Sequence, residues 1–276
     1  MTVTEGLALV AAGVAAGVIS TVVGLASVVS YPALLAIGLP PLAANMTNTV
    51  SLLFTGVGAA MGSRPELAGQ VTRVRRLGTI AALGGGAGAA LLLITPSQTF
   101  VRLAPILIGA ASLALLPPSR QDRAARRGAG LDRDERRRGA GPDRDGHGCG
   151  AGPDRDERRP WLLAGVFGVA VYIGYFGAAG GIVMLALLIA MVAEPLARVN
   201  AVKNMLGAIG NAVAAVAFAV FGHVDWAAVV PLAAGFLVGG WTGPALVRRI
   251  PGQVLRIGVA VCGLVVAVTL GISAYR

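Results

Sequence analysis

Charged side chains are confined to a few places along this chain, and the apolar stretches between them are long. Leu77–Phe100, Met205–Gly222, Trp226–Val247 and Ile257–Tyr275 carry no charge. Each is close to the length of a membrane-crossing helix, since a hydrocarbon core of about 30 Å needs about 20 apolar residues. Leu103–Pro118 is shorter and also uncharged, and two runs are much longer: Gly6–Ser63, of 58 residues, and Pro160–Ala193, of 34. The 34-residue run is too long for one helix and too short for two full crossings. Its middle reads YFGAAGG (175–181), a glycine-rich break. These lengths predict a broken or re-entrant hairpin, which is tolerated in a membrane when it is buried in protein or lines a cavity.

One segment departs from the apolar pattern. Residues 119–159 hold an 11-residue repeat: RGAGLDRDERR (127–137), RGAGPDRDGHG (138–148) and CGAGPDRDERR (149–159). Glycine, proline and charge leave almost nothing to bury, so disorder is expected there. The two apolar parts on either side resemble each other. YPALLAIGLPPLAANMTNT (31–49) lies beside VMLALLIAMVAEPLARVNAVKN (183–204), with Pro41 near Pro195, and with Asn45 opposite Asn200, Asn48 opposite Lys203 and Thr49 opposite Asn204. Later, TPSQTFVRLAPILIGAASLALL (95–116) lies beside IPGQVLRIGVAVCGLVVAVTL (250–270).

The basic residues set the topology through the positive-inside rule. If segment 160–193 makes no net crossing, 21 of the 23 basic residues face one side, leaving Arg102 and Arg276 on the other. If it crosses once, the split falls to 17 against 6. Without the twelve linker arginines the contrast is 9 to 2 against 5 to 6, so the hairpin is favoured either way. The expected fold is an all-α polytopic membrane protein of two inverted-topology repeats, each a re-entrant hairpin plus three transmembrane helices. Residues 1–118 form the first repeat, 119–159 a cytoplasmic linker and 160–276 the second repeat.

Composition agrees with this class and excludes others. The chain is 55% hydrophobic and 13% charged, and its 40 glycines suit close helix packing in a membrane. Its +10 charge lies in loops without interleaved aromatics, so nucleic acid is not an expected partner. Cys149 and Cys262 build neither a disulfide framework nor a thiolate zinc site, and His147 with Cys149 makes only two ligands. No metal or other cofactor is expected. No catalytic residues are expected either. Outside the linker the acids are Glu5, Glu66, Glu194 and Asp225, the one histidine is His223, and GGGAG (84–88) lacks a P-loop lysine and serine and reads as helix packing.

Two polar clusters remain, NMTNT (45–49) and NAVKN (200–204). Asparagine near a helix start caps free amides. Such amides also form an anion site with the helix dipole, and two starts related by inversion would meet near the midplane. A lysine at the bilayer centre costs about 2.5–3.5 kcal/mol, so Lys203 either faces a cavity or snorkels to the interface. Arg198 already serves as an anchor five residues earlier. The candidate substrate site is therefore Asn45, Thr47, Asn48, Asn200, Lys203 and Asn204. His223 and Asp225, in an outer turn, are the candidates for proton coupling, with a plain turn pair as the competing role.

These segments carry a family resemblance. GVISTVVGLASVVSYPALLAIGLPPLAANMTNTV (17–50), GYFGAAGGIVMLALL (174–188), NAVKNMLGAIGNAVAAVAF (200–218) and GHVDWAAVVPLAAGFLVGGWTGPALVRRIP (222–251) resemble the sulfite exporter TauE/SafE family. The resemblance implies transport of a small anion, a sulfur oxyanion or organosulfonate, across the bacterial inner membrane. The first glycine cluster is reduced here, because VVGLASVV (22–29) lacks the pair kept at Gly180 and Gly181, which join the candidate site. The competing functions are transport of another small solute and a non-transporting membrane scaffold. A cation is disfavoured, because hard cations want carboxylate oxygens and the spans hold almost none. The oligomeric state is open, a homo-oligomer being compatible with the chain.

Overall fold

The structure is a computed structural model that describes residues 2–22, 24–100, 102, 106, 160–177, 180–192, 194–247 and 268. The described residues form helices throughout: α1 Val3–Val22, α2 Ser27–Ala36, α3 Pro41–Gly62, α4 Arg64–Leu67, α5 Val71–Ile94, α6 Pro160–Tyr175, α7 Gly180–Met191, α8 Leu196–Phe221 and α9 Trp226–Val247. Four of them are long and apolar enough to cross a membrane, namely α1, α5, α8 and α9. Helix α3 is as long but carries buried Asn45, Thr47, Asn48, Thr49, Ser51 and Thr55. Its polar side therefore faces protein, not lipid. The linker 119–159, with His147 and Cys149, and Cys262 lie outside the described residues.

Local chemistry explains the breaks. Helix α1 opens on a capping box: Glu5 N–H donates to Thr2 Oγ1 at 3.2 Å and Thr2 N–H to Glu5 Oε2 at 2.7 Å. It stops at Gly24, whose φ of +86° admits no ordinary side chain, and Gly24 N–H closes the end on the Ile19 carbonyl. Helix α6 ends by the same device, at Gly177 with φ +75° and a bond to the Tyr172 carbonyl. Prolines then open the full-length helices, Pro40 capping α3 and Pro195 capping α8. Pro40, not Pro41, is thus the structural counterpart of Pro195, five residues before Asn45 as Pro195 is before Asn200.

The glycines show how the halves relate. Gly84, Gly85 and Gly88 of α5 and Gly239, Gly240 and Gly243 of α9 stand 155 residues apart (239 − 84, 240 − 85, 243 − 88). Gly84 lies against Phe167 and Ala170 of α6, while Gly239 lies against Val14 and Gly17 of α1. Gly85 meets Gly210 of α8, and Gly240 meets Thr55 of α3, again 155 apart (210 − 55). Directions follow from the same contacts. Gly13 and Gly17 of α1 face Gly235 and Gly239, and Thr55 and Gly62 of α3 face Gly240 and Pro244, so α1, α3 and α9 run together. Gly84 and Gly88 face Ala170 and Gly174, and Gly78 and Gly86 face Ile209 and Val213, so α5, α6 and α8 also run together. Helices α3 and α8 are antiparallel, with Met46 at Gly222 and Gly56 at Ala208. Helices α1, α3 and α5 therefore run opposite to their counterparts α6, α8 and α9.

The hairpin can be checked by depth. Gly174 and Gly210 both touch Gly85, and each lies 14 residues into its helix (174 − 160, 210 − 196). Helices α6 and α8 thus start at one face, and α7 returns the chain to it. Arg64, Arg73, Arg75, Arg76 and Arg198 gather at this same face, where Arg73 bridges Glu194 at 2.6 Å. Replacing Gly85 by valine forces backbone apart at the triple contact. The expected loss is about 1–3 kcal/mol or more, read as a lower melting temperature or aggregation in detergent. Gly168→Ala, where an added methyl meets nothing within 4 Å among the described residues, does not lower the melt.

Candidate functional site

Four helices stop or start around a single point, and a cavity of about 60 Å³ opens there. Helices α1 and α6 end on it, at Ser20 and Thr21 and at Ile173 and Gly177, while α2 and α7 begin on it, at Ser27 and Gly181. The full-length helices supply the walls, α3 with Leu52, Thr55 and Gly56 and α8 with Lys203, Asn204, Gly207 and Asn211. A volume of this size holds about four water-sized probes, enough for a compact ion. Gly56 and Asn211 are 155 apart (211 − 56), as are Leu52 and Gly207 (207 − 52), and all four line the cavity, which therefore sits on the axis relating the halves. Beyond the axis it reaches toward Lys203 and Ala59, not toward their counterparts Asn48 and Ala214. It extends toward the arginine-rich face.

Lys203 is 3% exposed, with Nζ 3.4 Å from the Ser20 carbonyl as its recorded hydrogen bond. Asn200 Nδ2 donates to the Thr21 carbonyl at 2.9 Å, and Asn204 Nδ2 to the same oxygen at 3.4 Å. These three side chains thus satisfy the free carbonyl end of α1, where the helix dipole favours a cation. An ammonium has three donors, so Lys203 retains capacity toward the cavity. Several buried polar atoms have no hydrogen-bond partner among the described residues, including Thr55 Oγ1, Asn200 Oδ1 and Asn211 Oδ1. Thr55 and Asn211 line the cavity. Buried polar groups are normally paired, so these side chains are available to a ligand in the cavity.

The six polar residues expected to form one site lie in three places. Asn200, Lys203 and Asn204 gather at the end of α1. Asn45 and Asn48 gather at the equivalent end of α6, Asn45 Nδ2 donating to the Tyr175 carbonyl at 3.0 Å and Asn48 Nδ2 to Ser27 Oγ at 3.2 Å. Thr47 Oγ1 accepts the Asp225 N–H at 3.0 Å, further toward the opposite face. The expectation that the starts of α3 and α8 meet at the midplane is therefore corrected. Those helices pack antiparallel and so start at opposite faces, and the starts that meet are those of α2 and α7. Gly181 lies on the cavity with its backbone against Gly24, while Gly180 packs on Ile173 and Tyr172 outside it. His223 and Asp225 are exposed at the far face and do not reach the cavity. Asp225 caps α9 through Oδ1 and the Ala228 N–H, as a turn residue does.

Sequence reasoning passed over Thr55 and Asn211. The signal for Asn211 is helical spacing, since Lys203, Gly207 and Asn211 recur every four residues along one face of α8.

The two ends of the site differ. Toward the face opposite the arginines, Tyr31, Phe100, Tyr175 and Phe176 are buried together, with ring centroids 5.9 Å apart for Tyr31–Phe176, 5.7 Å for Phe100–Phe176 and 6.3 Å for Phe100–Tyr175. At the arginine-rich face, Glu194 accepts from Gln70 and from Arg73, tying the loop after α7 to the start of α5.

The family model described as Sulfite exporter TauE/SafE matches residues 9–270, nearly the whole chain. No curated protein and no solved structure matches. The chain belongs to the TauE/SafE family.

Proposed function

We propose that this TauE/SafE member moves a small sulfur oxyanion, sulfite or an organosulfonate, across the bacterial inner membrane by alternating access around the Lys203 cavity. The family is one of membrane transporters for sulfur anions. The observation that carries the finer reading is the cavity itself: a buried lysine and unpartnered polar atoms on the axis of an inverted repeat. Such repeats place their substrate sites near the midplane, between broken helices. Positive-inside counting makes the arginine-rich face cytoplasmic, together with the 119–159 linker. The cavity then reaches inward, and the aromatic cluster closes the outer side. Exchanging the roles of the two hairpins would carry the site to the other face, which is the motion an inverted repeat permits.

Flux in proteoliposomes tests this. Vesicles holding the purified chain and loaded with sulfite should release it down its gradient far faster than protein-free vesicles, and added organosulfonate should compete. If neither sulfite nor a sulfonate moves faster than in protein-free vesicles, the transport reading fails.

A further inference from the structure

We propose that the cavity accepts a sulfur oxyanion bearing a single negative charge, hydrogen sulfite or a short sulfonate, and rejects the corresponding dianion. This rests on the cavity being the transport site. Four helix ends border it, and each carries about half an elementary charge. The carboxyl ends of α1 and α6 contribute negative potential through Ser20, Thr21, Ile173 and Gly177. The amino ends of α2 and α7 contribute positive potential through Ser27 and Gly181. Two of each sign cancel to first order.

What remains is one whole charge. Among the described lining residues Lys203 is the one ionisable side chain, and the other polar groups, Thr55, Asn204 and Asn211 among them, are neutral. Neutral donors orient oxygens without balancing a second charge. A second negative charge on the ligand would lie buried without a partner, the arrangement that proteins avoid most strongly. Leu52, Ile173 and Ala208 give the cavity an apolar wall beside its polar one, a place for a methyl group that a dianion such as sulfate lacks.

Methanesulfonate and sulfate test this, because both present sulfur-bound oxygens on a tetrahedral centre and they differ by one charge. Uptake of each labelled anion is measured separately into proteoliposomes holding the full chain. Wild type should take up methanesulfonate about a hundredfold faster than sulfate or more. Asn211→Lys, which adds a second positive charge to the cavity, should narrow that ratio at least about tenfold. Thermal melts of the wild-type protein, at matched ionic strength, carry the same test without a variant: methanesulfonate should raise the melting temperature and sulfate should not. Equal or faster sulfate uptake overturns the single-charge inference and leaves transport standing. An unchanged ratio in an Asn211→Lys protein that still moves methanesulfonate also overturns it. If neither anion moves nor shifts the melt while sulfite flux persists, the single-charge inference falls and transport stands; if sulfite is still as well, both readings fall.

Discussion

Lys203→Gln is expected to cut sulfur-oxyanion flux at least about a hundredfold while leaving the protein folded. Removing one partner of a buried charge pair costs about 3–5 kcal/mol, and about 1.4 kcal/mol is tenfold in affinity, so two decades is the lower end. Folding should survive because glutamine is polar and neutral, so the substitution leaves no unpaired charge buried beside the end of α1. Burying an ammonium is itself costly, so the empty variant should melt no lower than wild type. Lys203→Arg restores the charge but brings a planar fork in place of a compact point charge. In a cavity of about 60 Å³ it should recover only part of the flux. Full flux in the glutamine variant, with an unchanged melt, would leave Lys203 as a helix-end cation for α1 and nothing more.

The competing roles of Lys203 could not be separated from sequence, and the structure shows why. It stands 10 Å or so into α8, by about 1.5 Å per residue, deep enough for a cavity and shallow enough to snorkel. What decides is the carbonyl end of α1 beside it, and that end exists because the chain turns at Gly24. Within a 58-residue run free of charge, no pattern marks the depth at which a turn occurs. The pairing of Asn45 with Asn200 was legible, because the polar residues interrupt otherwise apolar helices at matching places. Their separation to opposite faces was not, since inversion leaves the alignment unchanged.

Thr55 illustrates a second limit. Hydroxyls within apolar helices usually bond back to a carbonyl one turn earlier. Thr21 does so to Gly17, Thr49 to Asn45 and Ser51 to Thr47. Thr55 is of the same type in the same helix as the last two, yet its hydroxyl is buried without a partner among the described residues. Residue type cannot distinguish it, and only the neighbouring cavity can. The glycines were the reverse case. GGGAG (84–88) reads as a packing signal, and Gly84, Gly85 and Gly88 each lie against the backbone of a neighbouring helix.

Phe176→Ala is expected to open the site to the face opposite the arginines. Phe176 is 2% exposed and holds Tyr31 and Phe100 together from between them. Truncating a buried phenylalanine removes about 3–5 kcal/mol. Where that loss falls on one conformer of a two-state equilibrium, it shifts the populations by two decades or more. The aromatic cluster exists in the state closed to that face, so the loss falls there. Ser27 is the reporter, since it lines the cavity one helical turn before Tyr31 on α2. In a chain with Cys149 and Cys262 replaced by serine, Ser27→Cys should react with a membrane-impermeant thiol reagent mainly from the arginine-rich face. Adding Phe176→Ala should speed its reaction from the opposite face at least about tenfold. Phe236→Ala removes an equally buried ring where α9 packs on α1 and should not. Unchanged labelling in a folded Phe176→Ala protein would mean that the cluster is ordinary core, and that closure of that face lies elsewhere.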